Sequence, residues 1–121
     1  MNLKRLPQAF SVCKIENLSQ VNLTREFVFF ARTDEELSLV CETEYVPMDT
    51  LAREGGWRAF RIEGILDFSM VGVLARISSL LAEHAISIFA VSTYNTDYIF
   101  TKEESFNASI ALLEQAGYTL I

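Results

Sequence analysis

Hydrophobic positions in the second half of this 121-residue chain change period several times, and each change marks an element. Over residues 57–65 (WRAFRIEGI) large apolar residues alternate with charged or small ones, the two-residue period of a strand with one face in a core. From about Ser69 to His84, the apolar residues Met70, Val73, Leu74, Ile77, Leu80 and Leu81 recur at spacings of three and four. Arg76, Ser78, Ser79 and Glu83 fill the opposite side, so the stretch predicts an amphipathic helix. Residues 86–93 and 97–101 are β-branched and aromatic, and Tyr94, Asn95 and Thr96 between them supply a turn, which predicts a hairpin. Glu103 and Glu104 open a second helix in which Phe106, Ile110 and Leu113 share a face. Gly117 suits its stop, and residues 118–121 resume as a strand.

The resulting order, βαββαβ in about 65 residues, is the ferredoxin-like arrangement of the α+β class, with helices on one face of an antiparallel sheet. The other face needs an occupant: the rest of the chain, a second copy or a ligand.

The first half repeats this pattern in shorter form. Pro7-Gln8-Ala9-Phe10-Ser11-Val12 matches Trp57-Arg58-Ala59-Phe60-Arg61-Ile62 at an offset of 50, and the stretch from Phe29 to Glu44 matches that from Phe89 to Glu104 at an offset of 60. The growth of the offset predicts a short loop or single turn over 17–24, where the second copy has its main helix. A short helix is expected within 48–55, with Gly55-Gly56 turning the chain. The expected organisation is an abbreviated module over 1–56 and a complete one over 57–121, two modules in tandem. Chance similarity between two β-rich stretches is the competing reading.

Composition narrows the function classes. Ten Lys and Arg against 16 Asp and Glu give a net charge of -6, with no basic run, which weighs against nucleic acid. The first residues, MNLKRLPQAF, lack a signal-peptide pattern and no window has the length of a membrane span, so the expectation is a cytoplasmic protein without membrane contact. Cys13 and Cys41 lie in apolar, strand-like runs without metal-ligand spacing and are expected as buried, reduced thiols. One His, no nucleophile with an activating base and no Gly-rich phosphate loop argue against an enzyme and against a bound cofactor or metal.

The strings TDEELSLVC, GGWRAFRIEG, LDFSMVGVLA and ISIFAVSTYNTDYIFTKEE resemble the ACT domain, the small ligand-binding module named for aspartate kinase and other regulated enzymes of amino-acid metabolism. They are most similar to short tandem ACT proteins of bacteria, whose modules also build cytosolic arginine sensors in animals. The resemblance implies a non-catalytic, allosteric regulatory or sensor protein that binds an amino acid where two ACT modules meet. The ligand's carboxylate would lie at the loop and helix start formed by Asp67, Phe68, Ser69, Met70, Val71 and Gly72. The hairpin residues Ser92, Thr93, Tyr94, Asn95, Thr96 and Asp97 would receive its amine or side chain, with Asp97 the foremost candidate. A homodimer and an unidentified regulated protein are the partners implied.

Each residue also has a plainer role. Asp67 and Ser69 are good helix caps, Asp97 can close a turn or pair with an Arg, and Gly72 can serve close packing. His84 suits a helix end, where a cation meets the dipole. The alternative function is a protein-interaction module that dimerises through its aromatic and β-branched strands, 27–30 and 86–91, without ligand.

Overall fold

The computed structural model describes residues 1–65 and 71–121. Among the described residues, seven strands and two helices follow in the order β1 (Asn2–Ile15), β2 (Phe29–Arg32), β3 (Leu37–Glu42), β4 (Ala52–Ile62), α1 (Val73–Glu83), β5 (Ile88–Ser92), β6 (Asp97–Lys102), α2 (Glu103–Gln115) and β7 (Thr119–Leu120). Two short 3₁₀ turns, Leu18–Gln20 and Thr43–Tyr45, complete the set. The fold is α+β, built on a largely antiparallel sheet. The chain divides into two compact units, one of Met1–Pro7 with Arg58–Ile121 and one of Gln8–Trp57.

In the first unit the strand order is β7-β1-β4-β6-β5. β5 and β6 form an antiparallel hairpin, while β1 meets β7 in parallel through Asn2↔Thr119 and Leu3↔Leu120. The periodicity read from the sequence is what buries the helices. Val73, Ile77 and Leu81 of α1 and Phe106, Ile110 and Leu113 of α2 join Leu3, Phe60, Ile62 and Ile99 in one apolar cluster. Ile77, Leu81, Leu113, Phe60, Ile62, Ile99 and Leu3 have no exposure at all. Burial of that completeness contributes about 1.5–3 kcal/mol for each large side chain.

Helix α1 starts later than its periodicity predicts. Gly72, not Ser69, is the N-cap, with φ +80°, and its carbonyl accepts the first helical bond from Arg76 N at 2.9 Å. A left-handed cap is open to glycine at no steric cost, so the chain enters the helix without a side-chain cap. At the other end of the unit's second helix, Gly117 takes φ +101° just beyond the Ala116 C-cap, as expected.

The second unit carries the order β2-β3-β1-β4. Cys13, Ile15, Leu37, Leu39 and Cys41 form its cluster, with Leu18, Val21, Val28 and Val46 packed against it. Both thiols are free and buried; burial, the largest influence, pushes the Cys13 thiol up and Cys41 up to about 11. The segment expected to hold one turn holds the 3₁₀ turn Leu18–Gln20. A reciprocal cap stabilises it: Ser19 N donates to Asn17 Oδ1 at 2.9 Å and Asn17 N to Gln20 Oε1 at 3.1 Å.

The region 48–55 departs from expectation. It contains no helix, and β4 begins at Ala52 and runs straight through Gly55 and Gly56. The glycines serve the strand: a Cβ on Gly55 would sit 3.2 Å from Ser11 Oγ, and Gly56 has φ +80°. They admit a close neighbour and a left-handed residue inside a strand, as at a bulge, without reversing the chain.

The two hairpins share one register. Phe29↔Val40, Phe30↔Leu39, Ala31↔Ser38 and Arg32↔Leu37 stand at an offset of 60 from Phe89↔Phe100, Ala90↔Ile99, Val91↔Tyr98 and Ser92↔Asp97. No helix among the described residues is long and apolar enough to cross a membrane.

Candidate functional site

The expected binding residues fall on two stretches of the first unit, the approach to α1 and the β5–β6 turn. Asp67, Phe68, Ser69 and Met70 lie outside the described residues. Val71 is 86% exposed, and Gly72 follows as the left-handed cap. A Cβ on Gly72 would come within 3.2 Å of Arg76 Nη1, so the guanidinium of the first helical turn lies back over the cap. Free N–H groups at a helix start favour an anion by about 0.3–1 kcal/mol through the dipole, and a cation beside them adds to that preference.

The turn is built by threonines. Thr93 N donates to Thr96 O at 2.8 Å, Thr93 Oγ1 donates to the same carbonyl at 3.0 Å, and Thr96 N reaches Thr93 Oγ1 at 3.4 Å. Thr96 is buried, and its Oγ1 donates to the carbonyl of Ile62, the last residue of β4, at 2.7 Å. This bond brings the turn beside the strand end from which the chain departs toward α1. Tyr94 is 80% exposed and Asn95 also faces solvent, so these two rim the turn.

Asp97 and Ser92 form the last pair of the hairpin ladder, and Ser92 Oγ donates to Asp97 Oδ1 at 2.5 Å. Asp97 is half-buried, and among the described residues no guanidinium pairs with it. At the equivalent ladder position of the other hairpin stand Arg32 and Leu37, so the Ser–Asp pair is not required by the hairpin register. A half-buried carboxylate held by one hydroxyl keeps acceptor capacity for a further donor.

Sequence reasoning passed over a polar cluster beside this turn. Arg61 Nε donates to Glu63 Oε2 at 3.1 Å, and Arg61 Nη1 to the Tyr98 hydroxyl at 3.3 Å, with the guanidinium carbon 5.9 Å from the Tyr98 ring centroid. The hydrogen bond to Tyr98, the largest influence, raises the Arg61 pKa; Glu63 adds to it and burial opposes it. Arg61 lies in β4 and Glu63 just past its end, two positions apart, whereas Tyr98 comes from β6, so the cluster is completed only by the fold. His84 makes a local contact, Nδ1 lying 3.1 Å from Leu80 O. Among the described residues no group of His, Cys, Asp and Glu is arranged to hold a metal ion.

An Agrobacterium tumefaciens protein of known structure superposes with a TM-score of 0.86 and 28% identity, over 99% of this chain and 91% of that one. A Vibrio cholerae protein of unknown function, described as a possible transport protein, gives 0.73 at 24% identity, covering 94% and 88%. The ligand-free regulatory subunit of aspartate kinase from Thermus thermophilus gives 0.66 at 9% identity over 97% of each chain, a likeness of fold alone. No protein of curated function matches the sequence. The family model of the ACT domain matches residues 52–115, more than half of the chain, and the chain belongs to the ACT-domain family.

Proposed function

We propose that this protein is a non-catalytic regulatory or sensor module that binds a small amino acid, with ligand occupancy setting its interaction with a regulated partner. The observation that carries the reading is the Thr96–Ile62 bond, which draws the turn bearing Asp97 to the end of β4, the strand that precedes α1 in the chain. In this reading the N–H groups around Gly72 take a carboxylate and Asp97 takes an ammonium. The shared hairpin register supports a tandem pair of related modules, the first with 3₁₀ turns where the second has helices, although residues 1–7 of the expected first module, 1–56, belong to the same compact unit as 58–121. Ligand binding would act by favouring one arrangement of the modules or of two chains over another.

A second reading is favoured by the strand order. β5 is the last strand of its unit's order, so one side of its backbone has no strand partner among the described residues, and a second copy could pair there without ligand.

Thermal melts against the twenty amino acids test the first reading. At a hundredfold excess over its dissociation constant, a ligand adds about 2.7 kcal/mol. The melting point then rises by about 10 °C for a chain of this length. A rise for one group of related amino acids that is lost in Asp97→Ala supports the sensor. No rise with any of them rejects it, and the concentration dependence of oligomer size then tests the dimer.

A further inference from the structure

We propose that the second unit carries its own binding site, separate from the turn at Asp97, for a small organic cation with N–H donors. A recess of about 300 Å³ is lined by Gln8, Thr24, Arg25, Glu26, Phe27 and Glu42. All six belong to the second unit, and they lie away from its hairpin turn at Thr33: Glu42 ends β3, and residues 24–27 precede β2.

Three observations give the recess its chemistry. Gln8 Oε1 is shut off from water and has no hydrogen-bond partner among the described residues, so an acceptor on the wall is unsatisfied. A donor entering the recess, met by a small rotation of this half-buried side chain, would supply the missing bond. The charges point the same way. Arg25 is engaged with Glu42 at 3.8 Å and lies over the Tyr45 ring, 4.0 Å from its centroid. Glu26 is exposed and forms no ion pair among the described residues, which leaves one carboxylate of the lining without a cation. Phe27 lines the recess with φ +57°, a conformation that bulky residues rarely adopt, and its ring meets Phe10 edge-on at 6.2 Å. An unsatisfied acceptor, an unpaired carboxylate and an aromatic wall together select an ammonium or guanidinium group over an anion or a neutral molecule.

Calorimetric titration of the full chain with butane-1,4-diamine and methylguanidine tests the site, with tetramethylammonium as a cation that lacks N–H donors. The expected result is saturable binding of either donor cation, weakened about tenfold or more by Glu26→Gln and by Gln8→Leu, and unchanged by Asp97→Asn. Glu26→Gln alters an exposed side chain and keeps the test valid if Gln8→Leu does not fold. Absence of saturable binding, equal binding of tetramethylammonium, or binding indifferent to Glu26→Gln would overturn the proposal. The amino-acid reading at Asp97 stands or falls separately, because Asp97 is the position varied as the control here.

Discussion

The hydroxyl of Thr96 donates to the carbonyl of Ile62 at 2.7 Å, joining a hairpin turn to the end of a strand 34 positions earlier in the chain. Replacing Thr96 by Val keeps the shape and removes the donor, so the Ile62 carbonyl loses this bond. The expected cost is about 1–3 kcal/mol, read as a lower urea midpoint with an unchanged slope.

The two hairpins offer a matched comparison. Thr33 N donates to Glu36 O at 2.9 Å and the Thr33 hydroxyl accepts from Glu35 N and Glu36 N, each at 3.1 Å, much as Thr93 serves its own turn. Thr33→Val and Thr93→Val should each destabilise by about 0.5–1.5 kcal/mol in denaturant titrations. Only Thr93→Val should also weaken an amino-acid response.

Gly72 and Gly117 both have left-handed φ but differ in surroundings. Alanine at either costs about 1–2 kcal/mol in backbone conformation. At Gly117 a Cβ meets nothing within 4 Å, whereas at Gly72 it lies 3.2 Å from Arg76 Nη1. Gly72→Ala should therefore also displace the Arg76 side chain, visible as changed chemical shifts around the α1 start, while Gly117→Ala perturbs only its own turn.

The Cys41 thiol, raised from 9.0 to about 11 in the folded chain, predicts a stability loss in alkali. Between those two values the unfolded chain has released the proton that the folded chain still holds. Stability is therefore fully present below about pH 9 and falls as the pH rises to about 11. Melts of Cys41→Ala should show a shallower decline across that window than the parent.

Ile77 lies at the centre of the α1 stripe with no exposure. Ile77→Ala should cost about 2–5 kcal/mol by chemical denaturation, because a cavity remains where two helices and the sheet meet.

The helices and both hairpins were legible because their signals are local. A stripe such as Val73, Ile77 and Leu81, or the alternation through Phe60 and Ile62, needs only neighbours in sequence to be read. The helix start was misjudged because Ser69 is a good cap by residue type, while the cap taken, Gly72, depends on a backbone angle that composition does not announce. Gly55-Gly56 was misjudged for the converse reason. Glycine permits both a turn and a close strand contact, and Ser11, which decides between them, is far away in sequence. The same non-locality hid the Arg61–Glu63–Tyr98 cluster and the recess at Gln8, whose members come from separate strands and loops. Of the expected site, the Asp97 turn was readable as a hairpin end, but its attachment through Thr96 was not.

The parallel contact between β1 and β7 sets a condition on assembly. Asn2 and Leu3 stand between β4 and β7 only when residues 119 and 120 are also present, so that part of the sheet joins residues 117 positions apart. Until then Leu3, which ends with no exposure, has an incomplete resting place, and the unit's slowest folding step should be this closure rather than formation of either helix. A fragment that begins at Trp57 would lack the strand between β4 and β7, and expression work on this family member should keep the first seven residues joined to the rest.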